Sequence, residues 1–424
     1  MNKKHIVYFT ISFVIIFCVW FAAFARYYSE YLNGMSLRVV LPIALVFSVL
    51  KSNLSFKTNK YIYILYVLFA LVAFSALYAT HMAQAITELR RIFGVILISL
   101  IFGLNCKDNK MIPWLYCAYF MIYASIWYYA KKNIIDDIDF GVDRLDDDIL
   151  NANAVAYYTF YVTFTFFVLG EIIKNSFLKT SMKVLFLLTI PLSVLVAIYT
   201  ASRQVFAIQV PLIGFLLYFR YFTKVKKYKK VLFILGVVIV SFYAIPLVQS
   251  TYEDSLLSVR NEEEYGNDIR IELAKDSFKV GCQHFFTGVG AGNYSTYSFD
   301  GHFSHNTYLE LFANNGIFGL LIFVYLMVSF IVKQYRRYRE TNIKMFLYFF
   351  WFGIMYSIDC MFYVMYCRIW LMGFFILVAS HSETYYNSLP EDLSTIQHQE
   401  LEQKAMHKKP NIIRRILSSS NFIN

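Results

Sequence analysis

The stretch HFSHNTYLELFANNGIFGLLIF, residues 302–323, opens on two histidines and an asparagine and then turns apolar. An imidazole such as that of His305 takes up a proton near neutral pH and can act as a general base. Asn306 is a residue type that caps helix N-termini, its side-chain oxygen accepting an orphan backbone N–H. Helical spacing puts His305, Tyr308, Leu309 and Phe312 on one face. Other polar groups interrupt apolar sequence far away: Arg203 in YTASRQVFAIQV, Arg270 in NDIRIELAKDSF, Arg90 and Arg91 in ITELRRIFG, and Asn151 and Asn153 in NANAVAYY. The arginine fork binds phosphate bidentately. A base together with several such forks is the equipment for activating a hydroxyl while holding a pyrophosphate leaving group. Each residue also has an ordinary reading. Arginines and histidines anchor helices at an interface or snorkel to headgroups, and asparagines cap.

The elements that must bring these residues together are membrane helices. Of 424 residues, 58% are hydrophobic and only 16% are charged, well below the ~25% of an ordinary soluble domain. Apolar runs of about bilayer length recur near 6–25, 37–50, 61–80, 92–105, 111–130, 152–173, 184–201, 204–222, 231–250, 306–332, 344–361 and 366–380. They predict an all-α polytopic membrane protein with about 12 transmembrane helices. The first run is longer than a signal-peptide core and reads as a retained anchor. Loops alternate in charge. MNKK, KSNLSFKTNK, KDNK, KNSFLKTSMK, RYFTKVKKYKK, KQYRRYRETNIK and the tail's HKKPNIIRR hold most of the lysine and arginine, whereas the other set includes KKNIIDDIDFGVDRLDDD and YEDSLLSVRNEEEYGND. The positive-inside bias therefore predicts both termini in the cytoplasm and all the residues singled out above at the outer rim.

Residues 251–305 form one long outer loop between the ninth and tenth apolar runs, in a membrane domain spanning 1–382. Within this loop, residues 267–286 predict an amphipathic helix on the membrane surface with Ile269, Leu273 and Phe278 on its apolar face. TGVGAGNY follows as a glycine-rich turn, and residues 383–424 form a polar cytoplasmic tail. The net charge of +11 follows topology rather than marking nucleic-acid binding. Six cysteines without a C-x-x-C pair argue against a metal-thiolate site or a disulfide framework. GVGAG follows no βα strand, so it is a poor nucleotide loop. No metal or other cofactor is expected. Among molecules on the outer face of a cell membrane, lipid-linked sugars carry a pyrophosphate.

TGVGAGNY followed by SHNTYLELFANNGIFGLLIF resembles the signature of the O-antigen ligase and O-antigen polymerase (Wzy-type) superfamily, with Gly316 as its later glycine. TASRQVF resembles that family's outward Ser-Arg motif and NANAVA its Asn-x-Asn element. IRIELAKDSFKVGCQHFFTGVG resembles its arginine-led segment, except that Phe286 stands near the position of the family's proline. The resemblance runs over roughly residues 150–380. It implies a GT-C-like membrane glycosyltransferase in a bacterial plasma (inner) membrane, moving an oligosaccharide from undecaprenyl pyrophosphate to an acceptor hydroxyl. His305 would then be the acceptor-activating base. Arg203 and Arg270 would hold the donor pyrophosphate with Arg90 or Arg91 as helpers, and Asn306, Tyr308 and Asn153 would shape the site. The implied partners are the undecaprenyl-pyrophosphate-linked oligosaccharide and membrane lipid, with a flippase and a chain-length regulator as candidates. The acceptor separates a polymerase, which uses another lipid-linked repeat unit, from a ligase, which uses a core lipid or another acceptor. A polymerase is favoured because it demands no outer-membrane acceptor. A lipid-linked oligosaccharide flippase is the rival from another class; it would place ionisable groups near the bilayer midplane.

Overall fold

A computed structural model of the chain describes residues 3–132, 152–200, 209–222, 226, 228 and 269–390. In hydrocarbon a single segment satisfies its own backbone N–H and C=O groups only as a helix, and every regular element among the described residues is helical. In order these are α1 (Lys3–Tyr28), α2 (Glu30–Met35), α3 (Leu41–Lys51), α4 (Lys60–Ala76), α5 (Met82–Asn105), α6 (Ile112–Ala130) and α7 (Ala152–Ile172). They continue as α8 (Ser176–Tyr199), α9 (Val210–Leu217), α10 (Ile269–Gln283), α11 (Tyr294–Tyr297), α12 (Thr307–Thr341), α13 (Lys344–Asp359) and α14 (Ile369–Asn387).

Among the described residues five helices are long and apolar enough to cross a membrane: Ile6–Ala25, Tyr31–Lys51, Val155–Ile172, Ser176–Val196 and Thr307–Thr341. Several of the other expected spans have a local reason to fall short of that measure. Helix α4 has 17 residues. Helix α5 carries Glu88, Arg90 and Arg91 in its first half. The run at 231–250 and the turn at 201–208 lie outside the described residues. The short apolar runs at 37–50 and 92–105 are parts of longer helices. The first is joined to α2 through a π-helical turn, Ser36–Val40, and the second starts ten residues earlier, at Met82. At the other end of the chain α14 continues to Asn387, past the expected start of the tail.

The chain alternates between two ends of the bundle. At one end the phenol of Tyr78 donates to Thr287 O (2.5 Å), His81 N donates to Asn293 Oδ1 (2.7 Å) and Thr307 N donates to Cys360 O (2.8 Å). This gathers the α4–α5 turn, the glycine-rich loop and the α13–α14 turn. At the opposite end Lys51 pairs with Asp108 (3.3 Å), Arg220 with Glu171 (2.8 Å) and Arg337 with Glu383 (2.8 Å). Between the ends the interior is aromatic. The ring of Tyr161 stacks on Phe374 at 4.6 Å, and Phe164 packs on Phe352 at 4.8 Å. Outward, Phe318, Leu321, Tyr325, Val328 and Val332 of α12 are all exposed. Their spacing of three and four residues makes one apolar stripe, as a face against lipid requires.

Two expectations about the outer segment change. The amphipathic helix exists as α10, but of its expected apolar face only Leu273 is buried, with Ser277, Val280 and Gly281. Ile269 and Phe278 are exposed. Positions 273, 277, 280 and 281 recur at helical spacing, whereas 278 is about 140° away from 273 at ~100° per residue. The second change is in α12, which is two helices rather than one. Gly316 adopts φ 66° and ψ −166° inside it, a region essentially reserved for glycine.

Candidate active site

The break at Gly316 is stabilised by a loop that comes back along the chain. A helix interrupted there leaves the carbonyls of Ala313 and Asn314 without their usual partners. Val289 N donates to Ala313 O (2.9 Å) and Gly290 N to Asn314 O (3.0 Å), while Ile317 N donates to Phe285 O (2.8 Å). Backbone meets backbone, so side chains have no room. A Cβ on Gly316 would fall on the carbonyl of Phe286, and one on Gly288 would fall on the carbonyl of Asn314. Both glycines also need positive φ. The glycine-rich turn is therefore the clamp that bends α12.

The bend leaves a short segment, 307–315, whose N-terminus carries the histidine. Asn306 caps it as its type suggests, Oδ1 accepting from Tyr308 N (2.9 Å) and Leu309 N (3.1 Å). His305, just before the cap, has φ 53°, uncommon for a residue with a side chain. Buried groups hold this turn. Glu310 Oε2 accepts from Ser304 N (2.8 Å), and Glu310 Oε1 accepts from Asn314 Nδ2 (3.0 Å). Asn314 Oδ1 in turn accepts from Tyr294 N (2.7 Å). Burial pushes the Tyr294 phenol up, so it stays a donor, to Leu273 O (3.0 Å) and Asp276 Oδ2 (3.2 Å). Thr307 pins the turn to the α13–α14 loop, with Oγ1 donating to Tyr363 O (2.7 Å) and accepting from Met365 N (2.8 Å). The imidazole of His305 lies against the ring of Phe303, centroids 4.2 Å apart.

Of the residues singled out from the sequence, His305, Arg270 and Asn306 come together. They line one cavity of ≈ 620 Å³ with Lys275 and Ser304, and its remaining wall is Ile271, Ala274, Phe278, Leu309, Met361 and Phe362. The wall is mostly apolar, with cations contributed by α10 and an imidazole opposite. Tyr308 does not line it; its phenol donates to Ser357 O (3.2 Å) and its ring packs on Phe323. Arg90 and Arg91 line other cavities. Both face one of ≈ 260 Å³ with Arg368, and Arg91 also lines one of ≈ 400 Å³ with Glu88, His302, Phe303 and Glu310. Arg203 and Asn151 lie outside the described residues, and so does the side chain of Asn153, in the first turn of α7.

Sequence reasoning passed over Lys275, Glu88 and Glu310. Lys275 looks like one more charge on a surface helix. Glu88 and Glu310 did carry a signal, since carboxylates inside otherwise apolar helices are costly unless they have work to do.

Compared with known families, residues 186–324 match the model described as O-antigen ligase. The matched span contains Arg203, Arg270, the glycine-rich clamp, His305 and Gly316. No curated protein matches the chain.

Proposed function

We propose, from the match of residues 186–324 to the O-antigen ligase family model, that the chain is a polysaccharide polymerase acting on the outer face of a bacterial plasma membrane. Its donor is an oligosaccharide linked to undecaprenyl pyrophosphate, and its acceptor is a sugar hydroxyl of another lipid-linked repeat unit. The observation that carries this reading is the shared cavity of His305 and Arg270. A base and a phosphate-binding fork face one space, and the apolar wall of Phe278, Leu309, Met361 and Phe362 suits a prenyl chain.

In the proposed step the acceptor oxygen attacks the anomeric carbon of the donor sugar and passes its proton to His305. The bond from that carbon to the pyrophosphate oxygen breaks, and its electron pair leaves with undecaprenyl pyrophosphate. Negative charge grows on the departing group, so Arg270 and Arg203 act more strongly on the transition state than on the bound substrate. Guanidinium groups supply this charge without a metal. The bend at Gly316 has a direct role here. It turns the capped end of segment 307–315, and with it His305, toward α10 and its cations.

The test is transfer by the purified protein in lipid nanodiscs, given only the lipid-linked repeat unit. A polymerase makes a ladder of lengthened lipid-linked chains. His305→Ala lowers the rate by about 10²–10⁴-fold, the span of general-base assistance, and Arg270→Ala lowers it by at least about 10²-fold. No ladder from wild-type protein, but transfer once a core lipid or another non-repeat acceptor is added, assigns the ligase reading. Full transfer by His305→Ala removes His305 as the base, and no transfer by the wild type with either acceptor contradicts both readings and leaves a transporter or a scaffold.

A further inference from the structure

On the far side of the His305 turn is a second cavity, ≈ 400 Å³, lined by Glu88, Arg91, Arg368, His302 and Phe303 among others. Glycine 301 to Phe303 face this space, while Ser304 to Asn306 face the cavity of Arg270. One turn of backbone therefore separates two chambers. Phe303 joins them, because its ring lines the second chamber and packs on the imidazole of His305 at 4.2 Å.

Two polar atoms here have no hydrogen-bond partner among the described residues. Glu88 is 3% exposed; its Oε1 is buried and accepts no hydrogen bond, and the Tyr366 phenol lies close to the same carboxylate. Its other oxygen is 3.5 Å from Arg91 Nη1. Across the same cavity the Nε of Arg368 is a buried donor, also unpaired. A buried, unpaired carboxylate oxygen or guanidinium N–H is costly, so such groups point to a ligand that completes them. The chamber thus offers an acceptor and a donor together. A phosphate accepts only and would meet repulsion from Glu88. A sugar diol donates from one hydroxyl and accepts at the next, and an aromatic ring such as Phe303 covers its C–H face.

We propose that this chamber is the acceptor-glycan subsite, with Glu88 and Arg368 binding vicinal hydroxyls of a neutral or weakly charged sugar beside His305. This rests on the transferase reading and names the binding residues that reading lacks. It also separates roles that sequence alone merged. Arg91 belongs with the acceptor sugar rather than with the donor pyrophosphate.

The test is binding rather than turnover, so that it stands apart from the transfer assay. The probe is the oligosaccharide released by mild acid from the lipid-linked repeat unit, free of lipid and phosphate. Saturation-transfer NMR on the protein in nanodiscs measures its affinity, with inorganic pyrophosphate as competitor. Wild type and Gly214→Ala, which lines neither cavity, are expected to bind it alike. Glu88→Ala is expected to weaken it at least about tenfold, as loss of a charge-assisted hydrogen bond does. Glu88→Gln keeps the volume and guards against misfolding; it is expected to weaken binding about threefold to tenfold. Pyrophosphate is expected not to compete. Unchanged affinity in Glu88→Gln, or displacement by pyrophosphate, overturns the assignment whatever the transfer assay returns.

Discussion

At the scale of single residues, the chemistry-bearing types were legible because they are rare in this chain. A histidine and a capping asparagine at the head of an apolar run stand out, and Asn306 caps as its type predicts. The residue that holds His305 in place was not legible. Glu310 looks like one acid in a helix, and its meaning appears only when Ser304 N and Asn314 Nδ2 both turn out to donate to it. Replacing it by alanine strands two buried donors and should cost about 2–4 kcal/mol, at roughly 1–2 per buried unpaired group. Glu310→Gln keeps one acceptor oxygen and should cost less. Thermal melts in detergent give the order wild type, Gln, Ala. If Glu310→Ala melts with the wild type, the network is not what fixes the turn.

At the scale of elements, periodicity located the helices well and their interruptions poorly. Gly316 stood in the sequence as one small residue in an apolar helix. Its function as a break depends on Phe285, Val289 and Gly290, some thirty positions upstream, which no local pattern reveals. The faces of α10 divide for a related reason: Leu273, Ser277, Val280 and Gly281 are buried on one side, while Ile269 and Phe278 stay exposed. The break makes a specific demand. Gly316→Ala must adopt a glycine-only conformation and also push its Cβ onto the carbonyl of Phe286. It should lose about 3 kcal/mol or more of stability, strain and clash together. Gly214→Ala, in a helix with open space around the new methyl, should melt at or slightly above the wild type. Equal melting of Gly316→Ala and Gly214→Ala would mean that the bend carries no strain.

At the scale of the whole molecule, the charge alternation of the loops sorted them into two sets, and the contacts at the two ends of the bundle follow the same alternation. Which set faces outward is the prediction of the lysine and arginine bias, and the chain contains its own probe. Cys282 on α10 is exposed, whereas Cys18, Cys106, Cys360 and Cys367 are buried. A membrane-impermeant maleimide added to intact cells should label Cys282, and Cys282→Ser should abolish the label. Labelling only after lysis would turn the molecule over and put His305 in the cytoplasm.

The central claim is that cations from distant parts of the chain meet the imidazole of His305 around one diphosphate. A cryo-EM structure of the protein in nanodiscs with undecaprenyl pyrophosphate measures this directly. The account predicts diphosphate density in the cavity of Arg270 and His305, within hydrogen-bond reach of the guanidinium groups of Arg270 and Arg203. Diphosphate bound instead beside Arg90 and Arg368, or at the opposite end of the bundle with Arg203 tens of ångströms from His305, would contradict it.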